Sequence, residues 1–257
     1  MNQDTINYEF PLNERMRVFM RLEQLFLQLD HFMFGSSVLD NRATISTLVD
    51  ILQIFSRHDL KAETLKELER HANRLNQLSN NQEIDTHRLQ QILDELSTTS
   101  KSLYARNGKI DISSMQSTLF QAISQRNSIP SGTCSFDIPA YHFWLQQSDE
   151  VQQKSIHSWV SQFAPIRKAI GLTLNFLRLS GESSKQIAKQ GFFQDSLETA
   201  QPYQLAILQL DKSIPFYAEI SGGKHRITAR FMNLEMGMNR PKQANCDIPF
   251  RLHYCIF

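Results

Sequence analysis

The spacing of apolar residues changes once along this chain of 257 residues, near the polar segment 180–184. Before that segment, apolar residues recur every three or four positions, which is the period of an amphipathic helix. After it, they alternate with polar residues in short runs, which is typical of antiparallel strands. The sequence therefore predicts an α+β fold, with a mainly helical domain over residues 1–182 and a smaller antiparallel β domain over residues 183–257.

The helical period holds over eight segments. Asn13 and Asp59 stand where the first and third helices begin, and side chains of both types cap helix N-termini. Pro165 suits the first turn of the last helix, because the N–H that proline lacks has no partner there. A polar turn at 79–82 predicts that the third and fourth helices form an antiparallel hairpin. The predicted helices cover residues 12–33, 42–57, 59–79, 85–103, 114–126, 138–147, 149–163 and 165–180.

The alternating runs predict five strands. Gly222 and Gly223 stand between two of these runs, and a glycine pair in that position is a signal for a tight hairpin turn. The predicted strands cover residues 187–194, 204–211, 216–221, 224–235 and 246–256.

The overall charge excludes one class of function. Lys and Arg together number 27 and Asp and Glu number 26, so the net charge is +1. Proteins that coat nucleic acid or acidic membranes usually carry a marked basic excess instead. Residues 183–257 nevertheless hold nine bases against six acids. We therefore expect any recognition of an anionic partner to be local and to involve the β domain.

Three features predict a cytosolic protein that does not cross a membrane. Residues 1–7 lack the basic start and apolar stretch of a secretory signal, and no window of 18 residues is free of charge. The three cysteines, Cys134, Cys246 and Cys255, fit a reducing compartment. An odd separation places Cys246 and Cys255 on opposite faces of a regular strand, so no metal site is predicted.

One predicted strand carries a basic stripe. Side chains of a strand point alternately to its two faces. Arg226 and Arg230 therefore share a face and lie about 13 Å apart at about 3.3 Å per residue. An exposed strand face that is simply solvated would show the same alternation. Lys224, Arg226, Thr228 and Arg230 are predicted on the outer face, and Ile227, Ala229 and Phe231 on the core face.

No motif in the sequence points to catalysis. The sequence has no nucleophile elbow, no HExxH or CxxC motif and no glycine fingerprint that opens a βαβ unit. His142 lies in an aromatic segment, 141–144, that is predicted to pack as a wall, so it is interpreted as structural. Arg17 and Arg21 share one face of the first helix, where surface ion pairs are the ordinary expectation.

Several segments, in order along nearly the whole chain, resemble the ZapD family of bacterial cell-division proteins. The most specific segment is ISGGKHRITARFM at 220–232. The others are YEFPLNERMR at 8–17, SIP at 128–130, CSFDIP at 134–139 and GFFQD at 191–195.

The resemblance implies a cytoplasmic homodimer, located at the mid-cell division ring, that binds the C-terminal tail of the tubulin-like protein FtsZ and bundles its filaments. It also implies a positively charged binding pocket that includes Arg21, His142, Arg226 and Arg230. Lys224 and Arg17 are added to this set because of their positions on the same predicted strand and helix. No catalysis, cofactor, nucleic acid or membrane is expected to take part.

Two alternatives remain open from the sequence. The basic strand that holds Arg226 and Arg230 could bind nucleic acid, which a steep salt dependence of binding would reveal. Alternatively, His142 could act in an enzyme on a small anionic ligand, in which case that ligand would raise the melting temperature of the protein.

Overall fold

A computed structural model describes residues 4–35, 37–78, 86–105, 117–233 and 240–256 of the chain. The helices are α1 (Glu14–Met33), α2 (Val38–Arg57), α3 (Leu60–Leu78), α4 (Thr86–Tyr104), α5 (Thr118–Arg126), α6 (Pro139–Leu145), α7 (Asp149–Val160) and α8 (Ala164–Leu179), with a 3₁₀ turn at Ser161–Phe163. The strands are β1 (Thr5–Pro11), β2 (Glu182–Ala188), β3 (Phe192–Ser196), β4 (Tyr203–Asp211), β5 (Phe216–Gly222), β6 (Arg226–Asn233), β7 (Lys242–Gln243) and β8 (Ile248–Ile256).

The α+β fold class is confirmed, with helices at all eight predicted places. Contacts divide the chain into two compact units. The β unit consists of Met1–Arg17 together with Leu174–Phe257, and the helical unit consists of Val18–Thr173. A boundary between independently folding domains at 182/183 stays a prediction. The predicted turn at 79–82, and the predicted ends at 114–116 and 234–235, lie outside the described residues.

The predicted N-caps and the apolar stripe of the first helix are present in the structure. The Met16 N–H donates to Asn13 Oδ1 at 3.0 Å, and the Ala62 N–H donates to Asp59 Oδ1 at 3.2 Å, so both predicted N-caps are confirmed. In the helical unit, α3 and α4 pack against each other. Of the helices described, none is apolar over enough residues to span a lipid bilayer. The stripe of α1 is buried through Val18, Phe19, Leu22, Phe26 and Leu29.

The β unit is built from two antiparallel sheets. Sheet I has the strand order β1-β4-β8-β2, and sheet II has the order β3-β6-β5 with β7 beside β6. One core cluster joins residues of both sheets, so the sheets pack face to face as a sandwich. Its buried side chains include Leu208 and Phe250 of sheet I and Phe231 of sheet II.

The first strand, β1, is absent from the sequence-based prediction. It pairs with β4 in an unbroken register from Thr5 opposite Asp211 to Pro11 opposite Leu205. The Arg178 guanidinium donates two hydrogen bonds to the Glu9 carboxylate, each 2.8 Å long. The N-terminal segment therefore belongs to the β unit, because its hydrogen-bonding partners lie about 200 residues later in the chain.

The predicted strand 187–194 is wrong, because a turn divides it. Strand β2 ends at Ala188 and β3 begins at Phe192. Gln190 and Gly191, between them, have positive φ angles of 49° and 69°. Left-handed backbone at two successive residues cannot continue a strand, and here it turns the chain from β2 of one sheet to β3 of another.

The hairpin predicted around Gly222 and Gly223 is confirmed, but its tip is displaced. Gly222 is the last residue of β5 and pairs with Ile227. The Gly223 N–H donates to the Arg226 carbonyl at 3.0 Å, which leaves Lys224 and His225 at the tip. A Cβ on Gly222 would lie 3.0 Å from the Arg226 oxygen, so close approach explains this glycine.

Gly191 is the most constrained of these turn glycines. A Cβ added there would lie 2.6 Å from the Ala244 carbonyl oxygen, in addition to the strain of its positive φ. We expect Gly191→Ala to lower the free energy of unfolding by at least about 1–3 kcal/mol. Gly223→Ala is the matched control, because a Cβ there meets no atom within 4 Å. Urea denaturation compares the two variants, and equal stabilities would contradict this assignment.

A buried histidine in α3 predicts acid sensitivity. The His71 side chain is fully buried, and burial, with a smaller effect of the Arg70 charge, lowers the pKa of His71 from 6.5 to about 4. The unfolded chain therefore binds the proton more readily than the folded one. Stability from this group is complete above about pH 6.5 and is lost as the pH falls through about 4.

Between about pH 7 and pH 4, we expect the wild-type protein to lose about 3 kcal/mol more unfolding free energy than the variant His71→Gln. Glutamine keeps a polar side chain at the position but does not titrate. Chemical denaturation at a series of pH values measures both proteins. Parallel pH dependences would show that His71 does not carry the effect.

Candidate functional site

Strand β6 presents its arginines to solvent and its apolar side chains to the core. Arg226 and Arg230 are exposed and Thr228 is half-buried between them. We call the outer side of β6 at these three residues the basic face. The predicted inward orientation is confirmed by burial of Ile227, Ala229 and Phe231, which are at most 3% exposed.

The register of sheet II gives the basic face its neighbours. Arg230 lies between Phe192 of β3 and Glu219 of β5. At the next position on the face, the hydroxyls of Thr228 and Ser221 are 2.6 Å apart. The basic face is therefore bordered by an aromatic ring on one side of Arg230 and by a carboxylate on the other.

Both arginines of the basic face are free for an external anion. Among the residues that the structure describes, neither Arg226 nor Arg230 has an ion-pair partner. Although Glu219 is opposite Arg230 in register, its carboxylate accepts from the Tyr217 hydroxyl at 3.4 Å. Burial and the Glu219 charge raise the pKa of Tyr217, so this tyrosine stays a neutral donor at neutral pH.

Lys224 does not lie on the strand face that the sequence predicted. It is exposed at the tip of the β5–β6 hairpin, before β6 begins at Arg226. The strand alternation stops at the turn, so it does not fix the direction of the Lys224 side chain. Lys224 is thus a neighbour of the basic face in sequence and not a member of it.

Arg17 is the other predicted residue in the β unit, and it already has partners. Its guanidinium pairs with Glu14 at 3.1 Å and donates to the Pro11 carbonyl at 3.4 Å. The expectation of a surface ion pair on the first helix is confirmed for this residue. Binding an external carboxylate would require Arg17 to exchange an existing ion pair.

Arg21 and His142 belong to the helical unit, and both are exposed. The interpretation of His142 as part of a packed wall is wrong. Its neighbour Tyr141 is buried under the Arg42 guanidinium, which lies 5.2 Å from the ring centroid, whereas Phe143 is 68% exposed. That Arg21 and His142 share one pocket with the basic face stays a prediction.

Among the described residues, no group of three or more His, Cys, Asp or Glu side chains could hold a metal ion. Cys246 is exposed and precedes β8, whereas Cys255 is buried within it. Burial, with a smaller effect of Glu9, raises the pKa of Cys255 to about 12, so its thiol stays protonated.

Sequence reasoning missed Phe192, Tyr217 and Glu219 as neighbours of the basic face. Alternation along residues 216–221 indicates that Tyr217 and Glu219 share one side of a strand. It does not say which residue of β6 lies opposite, because register is a property of paired strands.

Comparison with known proteins shows the family to which the chain belongs. The profile of the family described as ZapD, cell division protein, matches residues 20–230. The chain belongs to the ZapD family. The cell division protein ZapD of Methylococcus capsulatus is 42% identical over 254 residues, covering 99% of each chain.

Other ZapD proteins match over a similar extent. That of Aromatoleum aromaticum is 36% identical over 98% of both chains, and that of Ralstonia pickettii is 38% identical over 98% of this chain and all of its own length. The resemblance noted from the sequence is confirmed. ZapD membership gives this chain a role in cell division.

The arginines of the basic face should be dispensable for folding. We expect Arg226→Gln and Arg230→Gln each to change the free energy of unfolding by no more than about 0.5 kcal/mol, because both side chains are exposed. Phe231→Ala, on the inner side of the same strand, should cost about 3–5 kcal/mol. Denaturant titration of the three variants measures this contrast. A large loss for either arginine variant would mean that the arginine is a structural residue.

Proposed function

We propose that this ZapD-family protein binds the C-terminal tail of FtsZ through the basic face and, as a homodimer, cross-links and bundles FtsZ filaments. It would act in the cytoplasm at the mid-cell division ring, without catalysis and without a cofactor. One observation carries the site assignment. Arg226 and Arg230 are exposed on a strand and are not ion-paired to any residue that the structure describes.

Arginine on a strand suits the recognition of carboxylates. The guanidinium group makes two parallel hydrogen bonds to one carboxylate, and these bonds are stronger than neutral ones. Because neither arginine must first break an ion pair with a described residue, the free energy of the new bonds goes largely into binding. The backbone of β6 is hydrogen-bonded on both sides, to β3 and β5, so the arginines are attached to a firm support.

The spacing of the arginines defines the peptide that fits. They are four positions apart along the strand, which corresponds to about 13 Å. An extended peptide has the same rise per residue, so carboxylates about four residues apart would reach both guanidinium groups. The Phe192 ring, 37% exposed beside Arg230, offers an apolar contact between or beside these charges.

Dimerisation would turn a weak contact into bundling. Each protomer of a dimer would present one basic face, and filaments display many tails. Once one tail is bound, the second binding event is effectively intramolecular, so the avidity exceeds the affinity of either site alone. We therefore expect modest affinity for an isolated tail peptide and strong cross-linking of filaments.

The double variant Arg226→Glu/Arg230→Glu tests this function. We expect it to lose co-sedimentation with FtsZ filaments and to bind a fluorescent FtsZ tail peptide about tenfold more weakly, or worse, for each arginine replaced. Lys66→Glu/Lys154→Glu is the matched control, with the same change of net charge at two exposed lysines of the helical unit. It should bundle filaments like the wild-type protein.

Light scattering must first show the same oligomeric state for the wild-type protein and both variants. Unchanged bundling by the arginine variant would then contradict the assignment of the site to the basic face. Equal loss of bundling by both variants would show that net charge, and not the basic face, causes the loss. A DNA duplex that binds more tightly than the tail, with a steep salt slope that the arginine variant abolishes, would support the nucleic-acid alternative.

A further inference from the structure

A second surface of the β unit carries unpaired cations, on the outer face of sheet I. A groove of about 470 Å³ opens there, over the ends of β2, β4 and β8. We call it the sheet I groove. The residues that line it include two cations, one carboxylate and three apolar side chains: Lys185, Arg251, Asp211, Ile187, Ile214 and Pro249.

The cations of the groove stand side by side. Lys185 of β2 and Arg251 of β8 are direct partners in the antiparallel register, and like charges directly opposite each other are unfavourable. Both side chains are exposed, and within the described parts of the chain neither has an ion-pair partner. An external carboxylate would relieve this repulsion.

The one carboxylate that lines the groove, Asp211, is already engaged. Its Oδ1 accepts from the Ser213 N–H at 2.8 Å and from the Ser213 hydroxyl at 2.6 Å. These bonds fix the turn that follows β4, and among the described residues Asp211 makes no ion pair with Lys185 or Arg251. The groove is therefore lined by two cations and by one hydrogen-bonded carboxylate.

Apolar side chains form the rest of the groove. Ile187 is 53% exposed and pairs in register with Pro249, which is also exposed. Ile214 contributes a half-buried side chain from the turn after β4. Exposed aliphatic surface next to unpaired cations indicates a ligand that is both apolar and acidic.

We infer that the sheet I groove binds an extended, acidic segment of a partner protein, in which a carboxylate contacts Lys185 and Arg251 and an apolar side chain contacts Ile187 and Pro249. A nucleic acid is the poorer occupant. It would place a second phosphate over the apolar pair or beside Asp211, where nothing neutralises it.

The strand geometry specifies the sequence pattern of the ligand. Lys185 and Ile187 are two residues apart on β2, as are Arg251 and Pro249 on β8. The cationic pair and the apolar pair are thus about 6.6 Å apart, at 3.3 Å per residue. In an extended peptide this distance separates residues i and i+2. The ligand pattern is therefore Asp or Glu, any residue, then a large aliphatic residue.

Short blocked peptides titrated into the full-length protein test this inference by NMR. The probe is acetyl-Gly-Glu-Gly-Leu-Gly-amide. The spacing control is acetyl-Gly-Glu-Leu-Gly-Gly-amide, and the charge control replaces Glu by Lys. We expect the probe to shift the backbone amides of β2 and the start of β8 at lower concentration than either control does, with an affinity at least about threefold higher.

Variants of the protein complete the design. Lys185→Gln/Arg251→Gln should weaken the probe about tenfold, and Ile187→Ser should weaken it severalfold. Lys66→Gln/Lys154→Gln should bind the probe like the wild-type protein. Unfolding curves of the variants verify that each is folded.

The inference fails if amide shifts are absent at millimolar probe, if they occur at β6 instead, or if Lys185→Gln/Arg251→Gln binds the probe as well as the wild-type protein does. It also fails if a single-stranded oligonucleotide binds the groove more tightly than the probe. Shifts at β6 would instead support the basic face as a site for acidic peptides. The other results leave FtsZ binding unaffected, because that function is tested at Arg226 and Arg230 on the other sheet.

Discussion

The pairing of β1 with β4 is the constraint on which the β unit depends. Seven residues near the start of the chain form the edge of a sheet whose other strands all come from its last third. The two hydrogen bonds from Arg178 to Glu9 fasten the end of α8 to the outer side of this strand. Without β1, the β4 strand would become an open edge and the inner face of sheet I would lose Tyr8 and Phe10 from its packing.

In both sheets, the inner side and part of the outer side differ in chemistry. Its inner sides share one apolar core, whereas each outer side carries a pair of cations without described ion-pair partners: Arg226 and Arg230 on sheet II, Lys185 and Arg251 on sheet I. A net charge of +1 therefore conceals local basic surfaces. Under both proposals, an acidic partner would be recognised through a few positioned groups and not through the field of the whole protein.

The local sequence pattern was sufficient to predict each structural element whose formation depends on its own residues. The helices, the caps at Asn13 and Asp59, and the inward side of β6 follow from periodicity and side-chain chemistry. The predictions failed where the extent of a strand depends on its partner strand or on an unusual backbone angle. The strand 187–194 was divided by positive φ at Gln190 and Gly191, and Lys224 was assigned to a strand that begins two residues later.

The sequence by itself determined the α+β class, the ZapD family and the presence of two arginines on one side of a strand, because these depend on composition, order and alternation. Only the tertiary structure decided that β1 joins the β unit and that Arg230 lies between Phe192 and Glu219. It alone placed Lys185 opposite Arg251. Strand partners and register are set by which surfaces bury one another, and alternation in a single strand is compatible with many pairings.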